Sequence, residues 1–149
     1  MSNQREAIAN LVVFLPMFMG TLLEGKRINT KLRLNYSEKR TLMYIYNHGG
    51  RTMTEYSKRV GLARGSFTTV ADSLEDKGLV GRVPGADDRR KCMLVLTEAG
   101  KEAAREIDSR FKKHIAARLN CLTEEELEDL KNALVTIETT REKLRDRGN

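Results

Sequence analysis

Tryptophan is absent from this chain, and the residues that build covalent or metal-held sites are scarce. The two cysteines, Cys92 and Cys121, stand far apart and outside any CxxC spacing, so no disulfide framework can be written from them. The two histidines, His48 and His114, are equally isolated, which excludes a legible metal centre. There is no nucleophile–base pair, no phosphate-cradling glycine loop and no cofactor fingerprint, so neither an enzyme nor a bound cofactor is expected. Long apolar runs are also missing. The longest, Leu11 to Met19, contains Pro16 and is too short to span a bilayer. No secretory order of charge, apolar run and small-residue cleavage site precedes it, so the chain reads as cytoplasmic with no membrane partner.

What remains is an ordinary soluble composition with one asymmetry. The 149 residues are 40% hydrophobic and 32% charged, enough for one domain with a core. The net charge is +6, a balance that permits nucleic-acid binding without requiring it. It is uneven: residues 1–53 carry +5, residues 54–97 carry +2 and residues 98–149 carry −1. The acidic last third is therefore not expected to meet a polyanion.

The stretch from Thr52 to Thr97 organises the chain. Thr52 and Glu55 have capping-box spacing, and Gly61 is a helix stop, so a short helix is expected between them. A second helix is expected from about Ala63 to Lys77. Phe67, Val70, Ala71 and Leu74 recur at i, i+3, i+4 and i+7 and form its buried stripe. Its opposite face carries Gly65, Ser66, Thr68, Thr69, Asp72 and Ser73, small hydroxyl-bearing residues suited to phosphates and base edges. Gly78 stops this helix. Val80–Val83 and Cys92–Leu96 then read as strands around Pro84–Lys91, a turn-rich loop that ends in three consecutive cations. The order is helix, turn, helix, β-wing.

These residues carry a family resemblance. Gly61-Leu62, the Ser66–Leu74 helix, Lys77-Gly78-Leu79-Val80, Asp88-Arg89-Arg90 and Leu94-Val95-Leu96-Thr97-Glu98-Ala99-Gly100 resemble the MarR family of winged helix-turn-helix transcriptional regulators. The resemblance covers almost the whole chain. It implies a mainly α fold with a small antiparallel wing, binding to double-stranded DNA as a homodimer, and repression of transcription from a pseudo-palindromic site. The expected DNA-facing set on the recognition helix is Arg64, Gly65, Ser66, Thr68 and Thr69, with Asp72 and Ser73 at its margin, and on the wing Asp88, Arg89, Arg90 and Lys91. Asp88 is implied to pair with an Arg of the motif and hold the wing's shape; which Arg pairs and which enters a minor groove stays open. Thr69 stands where family members often have Arg, and Ala63 where they often have a capping side chain.

The flanking helices complete this reading. A helix from about Gln4 to Glu24, kinked or shifted by Pro16, presents Ile8, Leu11 and Leu15 on a wide apolar face. After a helix begun by Thr97, a capping box at Thr123 and Glu126 starts a last helix. There Leu127, Leu130, Leu134 and Ile137 recur at three- and four-residue steps. By resemblance these two helices form the dimer interface. The expected layout is one domain over 1–149, with a DNA-binding lobe at 37–97 and dimerisation helices at 1–25 and 98–149. Between them Ser37 is expected to cap a helix running to Asn47. Phe14, Met17, Phe18, Met43 and Tyr44 are core and dimer packing, or line a pocket for a small-molecule effector as the resemblance implies. The cations of the loop Lys26–Tyr36 (Lys26, Arg27, Lys31, Arg33) read equally as backbone contacts or as a solvated connection. Cys92, on the strand face of Leu94 and Leu96, is expected to be buried. The rival to DNA reading is a winged-helix protein-interaction module.

Overall fold

Seven α-helices and one hairpin form among the described residues. The computed structural model describes residues 2–25 and 28–147, with the side chains of Ser2, Arg64 and Arg147 outside the described set. Elements run α1 (Ser2–Val12), α2 (Leu15–Leu23), α3 (Tyr36–Asn47), α4 (Met53–Val60), α5 (Arg64–Asp76), β1 (Val80–Pro84), β2 (Cys92–Leu96), α6 (Glu98–Arg118) and α7 (Glu124–Arg147). The chain forms two compact units, Lys26–Lys112 and Met1–Gly25 with Lys113–Asn149.

In the first unit, α3, α4 and α5 pack on one another and on the two-stranded antiparallel hairpin. Its register pairs Val80 with Leu96 and Pro84 with Cys92. Leu42, Tyr56, Phe67, Ala71, Leu74, Leu79 and Leu94 are fully or almost fully buried and form the centre of the core. Phe67, Ala71 and Leu74 are the expected stripe of α5, and Val70 is half-buried beside them. The capping box at Thr52 forms as expected: its side chain accepts from the Glu55 N–H while Glu55 accepts from the Thr52 N–H. Gly61 ends α4 at φ +73°, a left-handed conformation open to glycine at little cost.

Three local expectations are corrected. The cap of α3 is Asn35 rather than Ser37: Asn35 accepts from the Glu38 N–H at 2.9 Å, and Glu38 accepts from the Asn35 N–H at 2.8 Å. The first helix is two helices, because Pro16 sits in the first turn of α2 and lacks the N–H that would continue the α1 ladder. Cys92 is half-buried rather than buried, and Cys121 is exposed. His48 caps the C-terminus of α3 as expected, with its ring 4.7 Å from that of Tyr44.

In the second unit, His114 Nε2 lies 3.1 Å from the Leu22 carbonyl, and Arg118 donates to the Thr21 carbonyl at 3.1 Å, so both cover the C-terminal carbonyls of α2. Ile8, Leu11 and Leu15 are exposed, as are Leu134 and Ile137; Leu127 and Leu130 are half-buried. The segment Asn3–Leu23 as a whole is long and apolar enough, by length and composition alone, to cross a membrane, a property hidden when only Leu11–Met19 is read. It is nonetheless broken by a turn at Val13 and Phe14.

A close backbone approach joins the wing's root to α6. A β-carbon on Gly100 would stand 1.9 Å from the Leu79 carbonyl oxygen. The N-terminus of α6 is pinned there, with Thr97 Oγ1 donating to the Gly78 carbonyl at 2.6 Å and accepting from the Gly100 N–H at 3.0 Å. Gly100→Ala is therefore expected to cost about 3 kcal/mol, the upper end for an overpacked site, read as a lowered urea midpoint. A loss under about 0.5 kcal/mol, the size of an ordinary surface change, would contradict this approach.

Candidate nucleic-acid interface

The open face of α5 and the wing flank one cleft of about 800 Å³, lined by residues of α4, α5 and both strands. Gly65, Ser66, Thr68 and Thr69 are exposed along α5. Thr69 Oγ1 donates back to the Gly65 carbonyl at 3.2 Å. Ala63, the N-cap residue, supplies no side-chain bond, so the first N–H groups of α5 have no cap from it. Arg64 begins this helix, and its side chain lies outside the described residues. Lys26 and Arg27 of the preceding loop are outside them too; Lys31 and Arg33 are exposed.

The wing's tip is shaped by its own backbone. Asp88 accepts from the Arg90 N–H at 2.9 Å with its side chain and from the Lys91 N–H at 3.0 Å with its carbonyl. The Gly85 N–H donates to the Lys91 carbonyl at 2.8 Å. Asp88 thus holds the wing through the backbone of Arg90, and among the described residues it pairs with no guanidinium. Arg89, Arg90 and Lys91 are exposed, and none of them enters an ion pair among the described residues. These three cations share the loop with Asp87 and Asp88, and the bonds from Thr52, helped by the charge of Lys91, hold the Glu55 carboxyl below its ordinary pKa.

Two members of the expected DNA-facing set are engaged elsewhere. Ser73 is half-buried and donates to Glu38 Oε1 at 2.6 Å, so it lies on the scaffold side of α5. Asp72 is exposed but pairs with Arg82 of β1. The same guanidinium reaches Glu75 at 3.2 Å. Arg82, which the sequence groups with the cations clustered near the wing, is absent from the expected site residues. Its signal was strand alternation: Val80 is buried, so Arg82 two residues on shares its inward face.

Glu38 is the other residue left out. Its side chain is 2% exposed and accepts from Lys77 Nζ at 2.7 Å as well as from Ser73. Lys77 also donates to the Arg33 carbonyl at 3.0 Å. Burial pushes the Glu38 carboxyl pKa up, but bonds from Lys77, Ser73 and the Asn35 N–H outweigh that and hold it below its ordinary value.

Among the five residues proposed for packing or an effector pocket, Phe14 and Met17 are exposed and Phe18 is half-buried in the second unit. Met43 and Tyr44 pack against the core of the first, where Tyr44 meets Tyr56 edge to face at 5.7 Å.

Residues 34–92 match the family model described as MarR family. The matched residues take in α3, α4, α5 and β1, so the helix-turn-helix of this chain is similar to that of the MarR family. One relative, the HTH-type transcriptional repressor MdtR of Bacillus subtilis, is 34% identical over 86 residues, 58% of this chain and 56% of that one. The chain spans 61% and 60% of two further HTH-type regulators of that organism. Among solved structures, a MarR family protein from Bacillus stearothermophilus aligns with TM-score 0.73 at 23% identity, over 92% of this chain and 96% of that one. The MepR–DNA complex of Staphylococcus aureus aligns with TM-score 0.55 at 25% identity, over 72% and 80%. The mainly helical fold with a two-stranded wing is thus a MarR-family fold.

The depressed Glu38 carboxyl has a pH consequence. Its folded-state pKa lies below the unfolded 4.5, so its contribution is full above that value and is lost as pH falls through the folded pKa. Glu38→Gln is expected to cost roughly 1–3 kcal/mol at neutral pH and to flatten the acid limb of stability. Urea midpoints for parent and variant between about pH 6 and pH 3 measure this. Parallel acid limbs would contradict it.

Proposed function

We propose that this chain is a transcriptional regulator that reads duplex DNA, with α5 in a major groove and the wing beside the backbone or in a minor groove. The observation that carries the reading is an exposed small-residue face on α5 with no side-chain cap from Ala63, beside a cleft that Thr68 of that helix and Arg90 and Lys91 of the wing line together. Uncapped helical N–H groups suit phosphate oxygens. Ser66, Thr68 and Thr69 suit base edges and thymine methyl groups. Arg89 and Arg90 suit a narrow minor groove, where negative potential is deepest. MepR of Staphylococcus aureus, solved as a complex with DNA, supports the DNA reading.

The working unit in this proposal is a cytoplasmic homodimer. Exposed Ile8, Leu11, Leu15, Leu134 and Ile137 need an apolar partner, and a second copy supplies a matching surface. Two recognition helices related by a two-fold axis read half-sites about 34 Å apart, which makes the site pseudo-palindromic. Repression is the mode, in keeping with the name of the MdtR relative. Release by a small molecule requires that molecule to bind one arrangement of the dimer better than the other. The second reading, a protein-docking winged helix, draws on the acids Glu55 and Asp72 in the same cleft.

The double variant Arg89→Ala, Arg90→Ala separates the two. Fluorescence-anisotropy titration at several salt concentrations should show at least a tenfold loss of affinity for a selected duplex. Its salt dependence should be shallower by about 0.9 in logarithmic slope for each phosphate contact removed. Unchanged affinity and slope with the fold intact would reject the wing's role. In sedimentation, the parent should weigh twice the chain mass, and Leu134→Glu should shift it towards the monomer; a monomeric parent would reject the dimer.

A further inference from the structure

Arg82 does not present its charge outwards. It stands on β1 opposite Leu94, with its side chain on the inward strand face of Val80. One terminal nitrogen pairs with Asp72 Oδ1 and the other reaches Glu75 Oε1 at 3.2 Å. Asp72 and Glu75 are three residues apart and so neighbours on one flank of α5. At 100° per residue that flank lies on one side of the Gly65–Thr69 line, and the Ser73–Lys77 flank held by Glu38 lies on the other. A planar guanidinium spanning two carboxylates fixes direction as well as distance, which a lysine cannot do. A single exposed pair would hold little, but a shared cation with a partly buried stem loses less freedom for its second bond.

We propose that Arg82 is a positioning residue, a strut from the wing strand to α5 that sets the spacing of the two DNA-facing elements and masks the Asp72 carboxylate from phosphate. This rests on the DNA reading above. The alternative is that Arg82 leaves its carboxylates and binds a phosphate itself. The two make opposite statements about Asp72. A strut loses its anchor in Asp72→Asn, so specific binding weakens. A phosphate-binding Arg82 loses a competitor, so binding tightens.

The test uses the full chain with Arg82→Gln, Asp72→Asn and the double variant, all chosen to spare the core. The first arm needs no DNA: hydrogen exchange of the wing amides between Gly81 and Met93. Arg82→Gln is expected to speed their exchange at least tenfold, with exchange in α3 unchanged. The second arm is anisotropy against a selected and a scrambled duplex across a salt series. Each single variant is expected to lower the preference for the selected duplex about tenfold, the double variant no further, and the salt slope to stay at the parent's value. Unchanged wing exchange, tighter binding by Asp72→Asn, or a slope lowered by about 0.9 in Arg82→Gln would each overturn the strut. If the parent shows no preference for any duplex, the DNA reading fails by itself, and the exchange arm still decides whether Arg82 holds the wing.

Discussion

The carboxylate of Glu38 sets the orientation on which this fold depends. A buried anion is costly unless its lone pairs are filled. Here the donors come from two sides: the Asn35 N–H at the start of α3, and Ser73 of α5 with Lys77, the residue that caps its C-terminus. The carboxylate therefore caps its own helix and grips one flank of α5 with the same group of atoms. The apolar stripe of Phe67, Ala71 and Leu74 drives α5 onto the core. Apolar contact alone tolerates small rotations, whereas hydrogen bonds to a fixed carboxylate do not. The face carrying Gly65 and Thr69 is open because the flanks on either side of it are tied.

The wing follows from this arrangement. Its root is set by Gly100 against Leu79 and by the two bonds of Thr97. Its tip is set by Asp88 acting on the backbone of Arg90 and Lys91. Between them Arg82 meets the second flank of α5. The side chains that would touch a partner do little structural work, and those that do structural work face inward. This separation leaves the side chains of Arg89, Arg90 and Lys91 without an ion-pair partner among the described residues, on the surface of the wing.

Much of the fold was legible because it is written in short-range chemistry. The boxes at Thr52 and Thr123, the stop at Gly61 and the stripe of α5 each involve residues within one or two turns of one another. The cap of α3 was equally local but misread: Asn35 has Glu38 three residues on, whereas Ser37 has Arg40. The side-chain ties were not legible in the same way. Glu38 and Lys77 are separated by 39 residues, and nothing local says which of several acids each cation meets. Thus Ser73, placed on the open face by its polarity, belongs to the scaffold side, and Asp72 is held by Arg82. The break before α2 shows the converse: Pro16 announced it, and the extent of Asn3–Leu23 was still underrated because the apolar run was read without its helical neighbours.

The measurement that bears most directly on the central claim is selection from a random duplex pool with the purified parent chain, followed by sequencing of the bound fraction. The account predicts enrichment of one sequence with two inverted half-sites centred one helical turn apart, bound about a thousandfold or more above scrambled duplex and weakening steeply with salt. A bound fraction indistinguishable from the starting pool would contradict it and leave the winged domain as a surface for a protein partner.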